Sequence, residues 1–409
     1  MNYTIEKVTT LIGARRYGDT DANISFVLTD SRSLCFPEET LFFALKTERN
    51  DGHNYIPELY ARGVRNFVVE VVPDKWETLY SGSNFLKVVG SLEALQRLAE
   101  RHRDEFLIPI VGITGSNGKT MVKEWLYQLL SPQMVVTRSP RSYNSQIGVP
   151  LSVWLLNENT QVGVFEAGIS KPGEMMALRD IIQPTIGVFT SLGTAHQENF
   201  PSIEAKCMEK LCLFHDTKAI VYSMDDDVLT HCLAQYNYQG EQLSWSTKHT
   251  DAAFYIKSIE KKDIETTLTY TWKGGKEAQY KLPFIDDASV ENSITCAVVA
   301  LHLGVTQAAL AERMAQLEPV AMRLEVKEGQ HGCTLINDSY NSDYNSLDIA
   351  LDFMNRRPDH KGRKRTLILS DILQSGEEDK ELYNKVAFLC EKRGVNKFIG
   401  IGEGLLAER

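Results

Sequence analysis

One stretch constrains the fold of this chain more than any other: Ile108-Pro109-Ile110-Val111-Gly112-Ile113-Thr114-Gly115-Ser116-Asn117-Gly118-Lys119-Thr120. It opens as an apolar, β-branched run, the pattern of a buried parallel strand. It then breaks into small residues and ends in Gly-Lys-Thr. Met121 to Leu130 follows with apolar residues at helical spacing. Strand, small-residue loop, Gly-Lys-Thr and helix together make the layout of a phosphate-binding loop. Glycines let backbone N–H groups turn onto phosphate oxygens, and the helix N-terminus adds its positive dipole end. The Lys119 ammonium neutralises terminal phosphates, and the Thr120 hydroxyl is placed to ligate Mg²⁺. The general motif has a further glycine where this chain has Ile113, so the loop fits a Thr-Gly-Ser-x-Gly-Lys-Thr subclass: Thr114, Gly115, Ser116, Asn117, Gly118, Lys119, Thr120.

The chain has 409 residues, which at roughly 150 residues per domain suggests two to three domains. A net charge of −10 argues against a nucleic-acid partner, which calls for a basic surface. Seven cysteines are scattered without a Cys-x-x-Cys pair, which fits reduced thiols in a cytoplasm. The N-terminus lacks a signal-peptide core, and no apolar run reaches the length of a membrane span. The expectation is a soluble cytoplasmic protein.

Taken in order, residues 1–105 read as a small α/β unit. Its strand candidates are Ser25–Arg32, Thr40–Lys46 and Asn66–Val72, with a turn at Asp51-Gly52-His53 and a short helix over Ile56–Gly63. Ser91 is the expected N-cap of an amphipathic helix reaching Phe106. Residues 106–318 alternate strands and helices, with strands at Met134–Thr137, Gln161–Glu166 and Thr185–Thr190. That alternation predicts a doubly wound sheet, with ligands at the C-terminal ends of its strands. Glu166 and the segment Ser191–His196 end two such strands, so both belong on the rim that carries Lys119. Gln242–Leu282 reads as antiparallel strands appended to that sheet, and Glu291–Leu303 and Thr306–Leu317 as helices. Pro319 marks the next boundary. Residues 319–409 form a third α/β, Rossmann-like unit with strands at Leu324–Lys327, Thr334–Asn337, Arg365–Leu369 and Lys397–Gly400. Few residues follow the last strand, so the third unit is expected to be incomplete or part of a longer polypeptide.

Four later segments accompany the loop: Tyr143-Asn144-Ser145-Gln146-Ile147-Gly148-Val149-Pro150, Glu166 to Glu174, the His196 segment, and Asn337-Asp338-Ser339-Tyr340-Asn341. In this order they resemble the Mur ligase family, the ATP-dependent enzymes that add amino acids to the peptidoglycan precursor. Thr29-Asp30-Ser31-Arg32 and Asp51-Gly52-His53, with Asp338-Ser339-Tyr340-Asn341, resemble most the member that joins D-alanyl-D-alanine to a UDP-N-acetylmuramoyl tripeptide. The resemblance implies a three-domain architecture and an acyl-phosphate mechanism. It implies that Lys119 holds phosphates, that Thr120 and Glu166 ligate one Mg²⁺ and His196 a second, and that a carbamylated lysine sits beside the metal. Lys210 matches that lysine by spacing, with Lys206 a nearby competitor. Asn292 matches an adenine contact, and Arg323, Asp338 and Asn341 match nucleotide contacts from the third domain. Ser31, Arg32, Asp51 and His53 fall where the family binds the uridine diphosphate, and Asn144 and Ser145 where it holds the rest of that substrate. Departures occur at Gly168–Gly173 and at Asn341–Tyr344, and they bear on substrate contacts rather than on the nucleotide chemistry. A monomer is expected; some members are fused to a following alanine racemase, which would account for the abrupt end. Other readings stay open: a sibling ligase adding a single amino acid, a folyl-polyglutamate synthetase relative, and a non-catalytic nucleotide-dependent scaffold or poorly active fragment.

Overall fold

The computed structural model describes residues 3–47, 50–193, 197–262, 264–321, 324–339, 342–356, 362–373, 375 and 378–407. His196, Arg323 and Asn341 lie outside the described residues.

The strand Ile110–Thr114 sits inside the largest sheet, which has nine strands among the described residues. Its neighbours are Val162–Glu166 on one side and Ile186–Phe189 on the other, both parallel to it. The sheet continues through Val136–Arg138 beyond the first neighbour, and through Ala219–Ser223 and Glu241–Ser246 beyond the second. Strand order therefore reverses at Ile110–Thr114, which makes the loop after it the switch point of a doubly wound sheet. Alternation explains why these strands look uniformly apolar. Val111, Ile113, Val164 and Val188 face a core shared with Trp125 and Leu126 of the helix Lys119–Leu130 and with Ile294 and Val298 of the helix Asp287–His302. Ile110, Phe165 and Phe189 face the opposite layer, with Val149, Leu178 and Phe214. Gly187 lies on that second face because a Cβ there would stand 2.4 Å from the Phe214 ring.

The section after Gln242 is only partly the antiparallel addition that its alternation suggests. Glu241–Ser246 and Phe254–Lys262 join in parallel, and only Glu265–Trp272 and Glu277–Leu282 then run antiparallel. The strand Ala219–Ser223 had no counterpart in the sequence reading.

Ahead of this sheet stands a five-stranded one, with the parallel strands Phe26–Leu28, Thr40–Phe43, Asn66–Val69 and Asn84–Lys87 and an antiparallel edge Arg15–Tyr17. After Leu28 the chain turns into a 3₁₀ segment, Ser31–Ser33, so the expected strand to Arg32 ends early. Gly90, not Ser91, caps the helix Ser91–Arg103, because the Ser91 hydroxyl and N–H both donate to Glu70 Oε1. The third unit contains a hairpin, Glu325–Glu328 with Thr334–Asn337, and a parallel pair, Thr366–Ser370 with Lys397–Ile401. The helices Tyr344–Arg356 and Asp379–Lys392 share a core with that parallel pair. No helix among the described residues is long and apolar enough to cross a membrane.

Candidate active site

The strand Ile110–Thr114, the small-residue loop after it and the helix Lys119–Leu130 follow one another in the predicted order. Gly115 and Gly118 hold φ angles of 143° and 85°, positions that L side chains rarely adopt. A Cβ on Gly115 would lie 2.1 Å from Thr190 Oγ1, and one on Gly118 would lie 2.4 Å from Asn292 Oδ1. The loop is buttressed from the next strand end: Ser116 Oγ accepts the Gly193 N–H at 2.9 Å, and Asn117 N–H donates to Ser191 Oγ at 3.3 Å. Thr114 is buried and donates to the Ala167 carbonyl at 2.9 Å, so its side chain joins two strands beneath the loop. Lys119 Nζ donates to the carbonyls of Gly115 and Ser116 at 2.8 and 3.0 Å, bent back over the loop's mouth.

Beside this loop lies the end of the neighbouring strand. Thr120 Oγ1 donates to Glu166 Oε2 at 3.1 Å and meets Ser142 Oγ at 2.9 Å. Glu166 is fully buried, and its Oε1 makes no hydrogen bond. Lys123, equally buried, places its ammonium 3.1 Å from that oxygen as an ion pair outside hydrogen-bond alignment. Lys210 Nζ donates to the Gly115 carbonyl at 3.2 Å from a buried position. Burial holds its ammonium well below the usual lysine range, and the charges of Lys119 and Lys206 push the same way. Lys206 is also buried, donates to the Gly193 carbonyl, and is brought down to about 8 by burial, with Asp343 opposing.

Two cavities meet at the loop. The first, about 410 Å³, is lined by Gly115–Thr120, Asn144, Ser145, Ser170, Glu174 and Lys210. Part of its wall is locally built: Ser145 Oγ accepts the Gly148 N–H at 3.2 Å, and Glu174 Oε2 accepts those of Ser170 and Lys171 at 2.7 and 2.9 Å. The second, about 230 Å³, lies on the other side of Gly118 and brings in Met121, Ser191, Asn292, Leu324, Asp338 and Ser346. Asn292 and Asp338, far apart in sequence, therefore converge on one space.

The four N-terminal candidates lie elsewhere. Ser31 is buried, and Arg32 is exposed and paired with Asp30 at 2.7 Å. Both ring nitrogens of His53 are engaged: Nδ1 with Asp51 at 2.6 Å, and Nε2 accepting the Glu70 N–H at 3.1 Å. None of the four lines a third cavity of about 430 Å³, but Thr29, Asp30 and Ser33 do, facing Tyr143 and Trp154 of the central unit. Sequence reasoning missed Lys123 and Ser142. The only signal for Lys123 was a cation among the apolar positions of the loop helix.

Known proteins agree with this architecture. Residues 113–300 match the Mur ligase middle domain, and residues 23–103 match the Mur ligase family catalytic domain. The UDP-N-acetylmuramoyl-tripeptide--D-alanyl-D-alanine ligase of Bacillus subtilis (strain 168) is 27% identical over 381 residues, covering 92% of this chain and 80% of its own. The chain belongs to the Mur ligase family. The crystal structure of MurF from Acinetobacter baumannii superposes with a TM-score of 0.85 at 22% identity, over 100% of this chain and 87% of that one. MurF from Thermotoga maritima, solved with ADP, gives 0.76 at 23% identity, over 92% and 88%. Mur ligases are ATP-dependent, and they use the nucleotide with Mg²⁺.

The residues present fit both groups. The loop's two glycines leave a cradle that a Cβ would fill, and beside it Glu166 Oε2, the oxygen not paired with Lys123, meets Thr120 Oγ1 at 3.1 Å. Among the described residues no cluster of three or more His, Cys, Asp or Glu side chains forms a metal cage. One hydroxyl and one carboxylate beside a phosphate loop suit Mg²⁺, which is commonly held by one or two carboxylates together with nucleotide phosphates.

Proposed function

We propose that this chain joins D-alanyl-D-alanine to the terminal carboxylate of a UDP-N-acetylmuramoyl tripeptide, driven by ATP. The observation that carries the reading is that the loop and Thr120, whose hydroxyl bonds the buried Glu166 carboxylate, wall a cavity that also reaches Asn144 and Ser145. A carboxylate must be activated before an amine can displace its oxygen. Here the γ-phosphoryl passes to the carboxylate to give an acyl phosphate, and the amine then displaces inorganic phosphate. Most of the task is positioning and charge neutralisation.

Lys119 already stands at the loop's mouth and re-aims from two carbonyls onto phosphate oxygens. Mg²⁺ bound there supplies charge neutralisation between two anions. Thr120 and Glu166 would hold it, joined by Lys210 as a carbamate. Burial beside two other lysines favours the neutral amine of Lys210, the form that adds CO₂, and the carbamate anion would offset the local positive charge. His196 is proposed as a second metal ligand on family resemblance, and Arg323 and Asn341 as nucleotide contacts on the same ground. Asn292 and Asp338 face the second cavity, where the adenosine end belongs. The third cavity suits the uridine end, and Ser31, Arg32, Asp51 and His53 are proposed as contacts of the uridine diphosphate on family resemblance. Unit boundaries are placed near residues 105 and 318.

The test is isotopic. With the tripeptide carboxylate labelled with ¹⁸O, one label is expected in the released phosphate for each turnover. Product formed with unlabelled phosphate would refute the acyl phosphate. A panel of single amino acids run against D-alanyl-D-alanine separates a sibling ligase from the one proposed.

A further inference from the structure

Lys123 stands one helical turn beyond Lys119, with none of its side chain exposed. Its ammonium meets three oxygens from three different elements. Glu124 Oε1, on the same helix, is 3.0 Å away, and Glu166 Oε1, at the end of the adjacent strand, is 3.1 Å away. The third is the backbone carbonyl of Arg141. Arg141 has a φ of 50°, the left-handed region that a non-glycine residue enters at a cost. Beyond it the chain presents Ser142, which meets Thr120 Oγ1 at 2.9 Å, and Asn144, whose carbonyl accepts the Gly168 N–H at 2.8 Å. Asn144 and Ser145 then enter the first cavity.

A lysine needed only for burial would be an expensive choice at a wholly buried position, since an apolar side chain fills such space without a charge to desolvate. The geometry gives a stronger reason. Lys123 takes Glu166 Oε1, which leaves Oε2 turned to Thr120, and it pins the carbonyl of a strained turn. One ammonium therefore sets both the metal-side carboxylate and the loop that faces the acyl substrate.

We propose that Lys123 is a positioning residue that locks the nucleotide half of the site to the acyl-substrate half. This rests on the ligase reading above. The experiment compares the wild type with Lys123→Met and Lys123→Arg. It measures ADP affinity by calorimetry with and without Mg²⁺, together with kcat and each substrate's KM. For Lys123→Met the gain in ADP affinity from Mg²⁺ is expected to fall at least tenfold, while affinity without Mg²⁺ stays within twofold. The KM for the muramoyl tripeptide is expected to rise at least tenfold, and that for D-alanyl-D-alanine to change less than threefold. Adding Arg141→Gly, which relaxes the turn, is expected to recover much of the tripeptide KM but none of the Mg²⁺ gain. Lys123→Arg keeps the buried charge and decides the matter if the methionine variant does not fold: threefold or larger shifts in the same two quantities support the proposal. Wild-type values for both quantities in a folded variant, even a less stable one, would overturn it and leave Lys123 a purely structural charge. Should the wild type fail to ligate these substrates while the Mg²⁺ gain still depends on Lys123, the ligase reading falls and the metal-side half of the inference stands.

Discussion

Gly118 shows how much of the site rests on single residues. Its φ of 85° and the 2.4 Å gap to Asn292 Oδ1 leave no room for a methyl group. Gly118→Ala is expected to cost about 1–2 kcal/mol from backbone strain alone. ADP affinity should fall by tenfold or more, because the loop must deform where the phosphates are proposed to sit. Calorimetric titration beside a melting curve checks this; an unchanged affinity would mean that phosphates do not sit on this turn. His102 makes a different residue-level case. Its Nε2 lies 3.0 Å from the Leu156 carbonyl, which can only accept, so Nε2 carries the proton and Nδ1 accepts from Tyr3 Oη at 2.9 Å. The neutral ring is fully satisfied, and burial brings its pKa down to about 4. The unfolded chain therefore binds a proton below its ordinary value near 6.5 while the folded chain does not. Stability is full above that value and is lost as pH falls from it towards 4. With the two values 2.5 units apart, the loss between pH 7.5 and pH 5 is about 2 kcal/mol. Urea unfolding of the wild type and of His102→Gln at both pH values tests this, and an equal pH dependence in the two would sink it.

Elements are joined by similarly few atoms. Arg103, buried at the end of the helix Ser91–Arg103, donates to Ile182 O at 2.9 Å, Gln183 O at 3.1 Å and Phe106 O at 2.5 Å. It thereby satisfies carbonyls at the C-terminus of the helix Glu174–Ile182. Arg103→Met would strand them in a dry interface, and a loss of about 3 kcal/mol is expected in chemical denaturation; a loss under 1 kcal/mol would show that water replaces the guanidinium. At this scale three of the central strands buried on both faces were legible, while Ala219–Ser223, almost as buried, was missed. Ile110–Thr114, Val162–Glu166 and Ile186–Phe189 are continuous apolar runs, and each was read to within a residue or so. Arg15–Tyr17 escaped notice because it is a three-residue edge strand of partly exposed residues with no apolar pattern. Ser91 looked like a cap, but a tertiary partner, Glu70, claims its hydroxyl. The loop and Glu166 could be placed on one rim because both end parallel strands of a doubly wound sheet. The role of Lys123 could not, because it depends on the Arg141 carbonyl and on the side chain of Glu166, contacts that no local spacing encodes.

Across the whole molecule, the second cavity is shared: the central unit supplies Gly118, Met121 and Asn292, and the third unit supplies Leu324, Asp338, Ser346 and Ile349. Asp338 Oδ1 accepts the Leu324 N–H at 3.2 Å, fixing the junction where Leu324 takes a φ of 49°. The loop helix is tied towards the same junction, since Trp125 Nε1 donates to Glu318 O at 3.0 Å and Arg313 to Leu129 O at 2.6 Å. A nucleotide in that cavity would touch both units at once and so stabilise their arrangement by its binding free energy, about 2.7 kcal/mol at a hundredfold excess over Kd. Amide exchange should read this directly. With ADP and Mg²⁺, protection is expected in residues 115–130 and also in the hairpin Glu325–Asn337 and the first turns of Tyr344–Arg356, with the strands Thr40–Phe43 and Asn66–Val69 unchanged. Asp338→Ala should remove the protection in the third unit and keep that in the loop. If ADP slowed exchange in the loop alone in the wild type, the third unit would have no part in holding the nucleotide, and the second cavity would be a gap between units rather than half of the site.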